Sequence, residues 1–376
     1  MKKLFISILV VAAANMAQAQ SNELSFSQNG NGNKAPVVQQ GSGNTLSLNQ
    51  AGNGNNFSYT SSYNYNYPVY TGSVATQQGT SNTGLITVTG DNNKSGFVQM
   101  GNSNQGTLST VGNGNEGNVS VYGNGNEAIL TQIGDNNKGS AYSFSGSNNQ
   151  ISLIQTGYNN LGAAHPSSGS GNQISLVQSG NSNFGDAESY GGNNNQVSIT
   201  QIGNSNVSES YSIYGSNNQA SHTQTGNNNN GNAASYNGNN NRASVTQTGD
   251  QNVASAFSSN GNNNQASVVQ TGDQNVASAY ASSGNSNRAG ITQRGNTNEA
   301  RLWQAEGSFN TATVLQDGNS NTLTGLESAS YPFSYSAGQQ GDGNALTLTQ
   351  SGDGNMLHFG QFGDGNTAVI TQGPLQ

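Results

Sequence analysis

The chain has 376 residues, a formal net charge of −8 and no Cys; 52 residues are Gly, and only 31% are apolar and 7% charged. Such a composition cannot fill two or three ordinary globular cores, yet it is too weakly charged for a self-repelling acidic coil. It excludes disulfides and thiolate metal sites, leaves three His for acid–base chemistry, and lacks the dense basic surface that nucleic-acid recognition requires.

At the N-terminus, Lys2 and Lys3 precede an apolar run from Leu4 to Ala14, and Ala17-Gln18-Ala19 supplies a small-x-small cleavage pattern. Residues 1–19 therefore read as a secretory signal peptide. About eleven apolar residues are too few to cross ~30 Å of hydrocarbon, so no membrane insertion is expected. The mature chain, residues 20–376, is expected to be one repeat domain.

A repeat strand follows at once, from Asn22 to Gln28, and turn glycines then recur every 11 residues at Gly30, Gly41 and Gly52. Residues 57–76, with Tyr59, Tyr63, Tyr65, Tyr67, Pro68 and Tyr70, read as a loop insertion. Spacing of 11 resumes at Gly79, Gly90, Gly101, Gly112 and Gly123. From Gly134 to Gly318 the glycines recur every 23 residues and include Gly249 and Gly272. A second series, including Gly261 and Gly284, interleaves with them. Asn stands three residues after each turn glycine, as at Asn252, Asn264, Asn275 and Asn287. A second insertion at about 328–337 contains Tyr331, Pro332, Phe333 and Tyr335. Gly341, Gly352 and Gly363 then close the series, and Asn366 to Gln372 is a last repeat strand. There are 28 intact Gly-x-x-Asn turns. If each insertion replaces one turn, they imply about 15 rungs of 22–23 residues and a final half rung, about 70 Å at ~4.8 Å per rung.

Between turns the pattern has period two. Arg242 must face water, so Asn241, Ala243, Val245 and Gln247 face inward. The same register places Leu153, Leu176, Ile199, Val268 and Ile291 in one apolar column. Gln132, Gln155, Gln178, Gln201, Gln224, Gln247, Gln270, Gln293 and Gln316 form the column behind it. The intervening strands turn smaller residues inward, as at Asn252, Ala254, Ala256 and Ser258. Short strands, tight turns and a fixed period predict an all-β, two-sided parallel β-solenoid. Glycine is expected at the turns for φ > 0, and stacked Asn and Gln are expected to form amyloid-like amide ladders in place of a hydrophobic core. Glutamine changes strands between Gln99 and Gln132, which predicts different phasing of the first rungs. Both ends read as ordinary repeat strands without caps, so each end is expected to template another copy, giving an open homopolymer.

These residues resemble the curlin-repeat family, the subunits of curli amyloid fibres on bacterial surfaces. Gln50-Ala51-Gly52-Asn53-Gly54-Asn55 and Gln350-Ser351-Gly352-Asp353-Gly354-Asn355 match its turn, and the run from Asn264 to Gln270 matches its strand. The resemblance covers about residues 22–372, although most central copies lack the second turn glycine, as in Gly249-Asp250-Gln251-Asn252. It implies a major fibre subunit with many repeats. It further implies secretion through an outer-membrane channel, nucleation at the cell surface by a curli-type nucleator, and a place in biofilm matrix and surface adhesion.

Motifs for other chemistry are weak. No catalytic, cofactor or metal site is expected: the glycine-rich turns lack a phosphate-loop lysine, and no Asp/Arg/Lys cluster suggests a polysaccharide lyase. Asp91, Asp135, Asp250, Asp273, Asp342, Asp353 and Asp364 follow turn glycines but alternate with Tyr158, Asn181, Asn204 and Asn227, so charge gatekeeping is favoured over calcium binding. His222 is placed inside and His165 outside. By parity Tyr142, His165, Glu188, Tyr211, Ala234, Phe257, Tyr280 and Trp303 lie in one outward column. Its rings, Tyr142, Tyr211, Phe257, Tyr280 and Trp303, are a candidate surface stripe for lateral bundling or adhesion. The alternative is a monomeric ice-binding or ligand-binding solenoid that presents Ser198, Thr200, Ser221, Thr223, Ser244 and Thr246 as a flat hydroxyl array.

Overall fold

The structure, a computed structural model, describes residues 21–57, 74–325 and 336–373. The proposed signal peptide and the tyrosine-rich centres of both insertions lie outside the described residues. Every regular element described is a β-strand, and neighbouring strands pair in parallel.

The chain divides into two compact units, residues 1–170 and 171–376. In the first, strands alternate between two sheets. The first sheet runs from Glu23–Asn29 to Gln150–Tyr158 and the second from Val37–Ser42 to Leu161–Ser167, making six rungs. The second unit has the same plan. Its first sheet runs from Gln173–Asn181 to Thr367–Gln372 and its second from Phe184–Tyr190 to Met356–His358 and Gly360–Phe362, making eight rungs and a last single strand. Both units are two-sided parallel β-solenoids, as the periodicity predicts.

The rung count corrects one expectation, because the insertions interrupt strands rather than replace turns. Thr322–Thr324 and Ala337–Gln340 both pair with Glu299–Ala305, through Ala300–Leu323 and Gln304–Gln339. They are two halves of one strand, with the insertion leaving at mid-length. Likewise Asn56 bridges Lys34, while Ala75 pairs with Val37 farther along the same neighbouring segment. Spacing between glycines could not separate these cases. The change of glutamine strand is not a change of phase either: Val88 and Thr110 continue the column of Gln50 in the first sheet, and Val121 continues that of Gln99 in the second.

The interior is narrow, and its two walls compensate in volume. In the first unit, a Cβ on Gly139 would lie 2.8 Å from Leu130 Cδ1, so leucine in one sheet requires glycine in the other. In the second unit, where the facing column carries Ala254 and Ala277, the first sheet carries the smaller Val245 and Val268. The arrangement inverts near the start, where Phe97 of the second sheet occupies the room left by Gly84 and Gly106. Close packing of this kind makes a single added methylene unfavourable.

Most turn glycines have the expected positive φ, and four depart from it. Gly249 has φ +113°, as a left-handed turn demands, but Gly215, Gly238, Gly284 and Gly307 do not lie in that region. What Gly249 and Gly284 share is close stacking: a Cβ on either would overlap the carbonyl oxygen of the turn glycine in the next rung. Left-handed geometry also occurs two residues after the turn glycine, at Asn240, Gln251, Asn263, Gln274 and Ser286. This is the position of the missing second glycine. In 23-residue rungs the extra residue is also left-handed and precedes the second turn glycine, as at Asn237, Asn260 and Ser283.

Candidate assembly interface

The turn asparagines from Asn44 to Asn344 project inward and are buried, while Asn33, Asn355 and Asn366 in the terminal rungs are half-buried. The backbone N and Nδ2 of Asn252 donate to Asn229 Oδ1 at 3.0 and 3.2 Å, and its Nδ2 also donates to Gly272 O at 2.7 Å. Asn275 repeats this against Asn252 and Gly295. At the second turn, the Asn264 backbone N donates to Asn241 Oδ1 and its Nδ2 to Gly284 O. Asn287 does the same with Asn264 and Gly307. Each turn therefore closes through a side chain whose polar atoms are satisfied by the rungs on either side.

Glutamine makes a ladder of opposite direction. In the first unit Gln132 Nε2 donates to Gln155 Oε1 at 2.9 Å. In the second unit Gln178, Gln201, Gln224, Gln247, Gln270, Gln293 and Gln316 each donate to the next glutamine at 2.8–3.0 Å, and the series passes through Gln350 to Gln372. The other N–H crosses the interior to the facing sheet, as from Gln247 to Asn230 O and from Gln270 to Val253 O. One amide thus joins consecutive rungs and ties the two sheets together. A buried amide left unpaired would cost about 1–3 kcal/mol.

A second glutamine column was not singled out from the sequence. In the second sheet Gln39 donates to Gln77 and Gln77 to Gln99, while Gln304 donates to Gln339 and Gln339 to Gln361. Between these flanks the column first holds Val121 and Ser143 and, in the second unit, serine or alanine, as at Ser212, Ser235, Ser258 and Ala281. Ser258 Oγ keeps the bond to the facing backbone, Arg242 O at 2.6 Å, that Gln304 makes to Arg288 O. A hydroxyl cannot reach the next rung, so the axial bond is lost. The signal was the glutamine at both strand positions of each flanking repeat.

The turn aspartates serve as acceptors. Asp250 Oδ1 accepts the backbone N–H of Asn227 at 2.7 Å, and Asp273 Oδ1 accepts that of Asp250 at 2.8 Å. Asp250 and Asp273 therefore occupy the same turn position in consecutive rungs. Among the described residues no group of three or more His, Cys, Asp or Glu is placed to hold a metal ion. No helix among them is long and apolar enough to cross a membrane.

His222 lies inside, in the column of Ile199 and Val245. Its Nδ1 contacts Ser208 Oγ at 2.5 Å and its Nε2 contacts Gln247 Oε1 at 3.2 Å. Burial lowers its pKa to about 4, although the bonds to Gln247 and to the Glu209 backbone pull the other way. Gly231 makes the space, since a Cβ there would meet the imidazole Cε1 at 2.5 Å. His165 corrects the sequence reading: it occupies the outward column but is only 5% exposed, with its ring stacked on Tyr142 at 4.5 Å.

The rings of the outward column are turned toward one another. Phe257 stacks on Tyr280 at 4.9 Å and Tyr280 on Trp303 at 5.6 Å, with Tyr236 extending the row beyond Phe257. Neighbouring rings flank Phe257 and Tyr280 on both sides, whereas Trp303 ends the row beside Gly338 and is the most open of the four. Ala234 separates Tyr211 from the row, and the Tyr211 hydroxyl donates to Asp186 Oδ2 at 3.4 Å. Burial and then the charge of Asp186 raise the carboxyl pKa of neighbouring Glu209. On the first sheet, Ser198, Ser221 and Ser244 align, as do Thr200, Thr223 and Thr246, but Val269 takes the next threonine position.

Among the described residues the first strand and the last each pair on one side alone. Glu23–Asn29 pairs only with Thr45–Ala51, and Thr367–Gln372 only with Ala345–Ser351. Side chains that are buried at equivalent interior positions are partly exposed there.

Comparison with known families finds the Curlin associated repeat at residues 19–52, 123–157, 238–272, 261–295, 284–318 and 337–373. No curated protein matches the chain.

Proposed function

Because the chain belongs to the curlin-repeat family, we propose that it is a secreted structural subunit that polymerises end to end into curli-type amyloid fibres at the cell surface. Curlin repeats build extracellular fibre subunits, and the role proposed is structural rather than enzymatic. The single observation carrying the reading is the pair of edge strands, each offering a row of backbone groups together with an unfinished amide ladder. Such an edge binds most favourably to another copy of itself, because that copy repeats the register of backbone and side chain alike. The contact is heterologous and does not close, so it makes a fibre. Export through an outer-membrane channel after removal of residues 1–19, nucleation by a dedicated partner, and service in biofilm matrix and adhesion complete the proposal.

Purified chain beginning at Gln20, incubated at neutral pH and viewed by electron microscopy, is expected to form unbranched filaments. A species that stays monomeric at high concentration and shows thermal hysteresis would replace this reading with the ice-binding one. The interruption of the hydroxyl array at Val269, which is 39% exposed, favours the fibre. N-terminal sequencing of the secreted form is expected to begin at Gln20; an intact Met1 would contradict processing.

A further inference from the structure

The glutamine ladders run one way, and this polarity specifies what each edge offers a second copy. At the starting edge Gln28 Nε2 and Gln39 Nε2 already donate to Gln50 and Gln77, so their Oε1 atoms face outward as acceptors. At the other edge Gln372 Nε2 donates to Met356 O and Gln361 Nε2 to Ala345 O. Each retains one N–H for a further rung. Gln361 belongs to the second sheet and Gln372 to the first, and the strand of Gln372 stands half a rung ahead.

We infer that copies join with their sheets exchanged: Thr367–Gln372 of one copy pairs with Val37–Ser42 of the next, and Gly360–Phe362 pairs with the next copy's Glu23–Asn29. This deepens the proposed polymerisation and rests on it. Three observations favour the exchange. Continuing the spiral past Gln372 places the next strand on the opposite side, over Gly360–Phe362. If Glu23–Asn29 instead stacked on Thr367–Gln372, the second sheets of the two copies would lie two strand spacings apart, about 9.6 Å, leaving both facing edges unpaired.

The side chains match in the exchanged arrangement. Gln361 and Gln372 each meet a glutamine, Gln28 and Gln39. Phe26 comes over Phe359 and Val37 over Ile370, each two residues before its glutamine. The unexchanged contact would set Phe26 on Ile370. Finally, the rungs that carry glutamine in both sheets are the ones near the two edges, while central rungs such as those of Ser212, Ser235 and Ser258 carry it in one sheet. Only a flank with both columns can accept a neighbour turned by half a revolution without breaking a ladder.

The test uses the absence of native Cys. In the exchanged junction Thr371 neighbours Val38, both on outer faces, at one strand spacing of ~4.8 Å, which a disulfide spans. In the unexchanged junction Thr371 neighbours Ser27. Filaments of the Thr371→Cys, Val38→Cys double variant, oxidised and dissolved without reductant, are expected to run as covalent multimers on a denaturing gel. Those of Thr371→Cys, Ser27→Cys are expected to run as monomers. Multimers from the second pair alone, or from neither pair in filaments that have formed, would overturn the exchange. Absence of filaments from the unsubstituted chain would instead overturn the polymerisation on which it rests. If a double variant fails to assemble, equal mixtures of the single variants give the same reading as cross-linked dimers.

Discussion

Protonation of His222 is expected to destabilise the second unit by a calculable amount. The imidazole is buried, with Ser208 and Gln247 as its partners, and its pKa lies at about 4 against an ordinary 6.5. The difference corresponds to roughly 3 kcal/mol. A base whose folded pKa is depressed binds fewer protons folded than unfolded between those two values. Its contribution to stability is therefore complete above pH 6.5, declines as the pH falls, and is fully lost below about 4.

Carboxylates titrate over part of the same range, so the measurement needs a matched variant. His222→Val with Gly231→Ala recreates the Val–Ala pairing seen at Val245 and Ala254 without opening a cavity. Denaturant midpoints followed by Trp303 fluorescence between pH 7.5 and 3.5 should fall more steeply for the unsubstituted chain. The two curves should diverge by roughly 3 kcal/mol at the acid end. Parallel curves, or a steeper fall in the variant, would refute the buried neutral imidazole.

Removing one ladder amide by Gln270→Leu strands Gln247 Nε2, Gln293 Oε1 and Val253 O. A loss of about 2–5 kcal/mol is expected in denaturant midpoint, and a change below about 0.5 kcal/mol would assign the ladder no energetic role. Gly284→Ala should prevent the next rung from stacking and slow filament formation, while Gln251→Gly, which relieves a left-handed residue at φ +59°, should be neutral or stabilising by up to about 1 kcal/mol. Filament-assembly kinetics separate these, and equal effects would contradict the steric origin assigned to the turn glycines. Replacing Tyr211, Phe257, Tyr280 and Trp303 together by Ser is expected to leave single filaments but abolish lateral bundles in electron micrographs. Unchanged bundles would remove the ring column from any role in bundling.

Much of the architecture was legible because repetition converts one local fact into many. The charge of Arg242 fixes which residues of its strand face inward, and the period carries that parity to Val268 and Ile291, which are buried as it implies. What escaped depends on neighbouring rungs rather than on sequence interval. The interval between Gly318 and Gly341 fits a lost turn as well as it fits an interrupted strand, and only the shared partner Glu299–Ala305 distinguishes them. Gly215 gives no clue in its own dihedral angle, because the atom that excludes a side chain belongs to Gly238 in the next rung. His165 has outward parity, yet stacking on Tyr142 and burial withdraw it from water. The second glutamine column was in plain view at Gln304, Gln339 and Gln361, but its interruption by Ser258 and Ala281 hid the continuity of the position.

Oriented X-ray fibre diffraction from assembled chain beginning at Gln20 tests most directly whether like residues lie over one another across copies as they do within one. A meridional reflection at about 4.8 Å with an equatorial one near 10 Å is expected. Filaments lacking the meridional spacing, or a chain that remains monomeric under the same conditions, would contradict it.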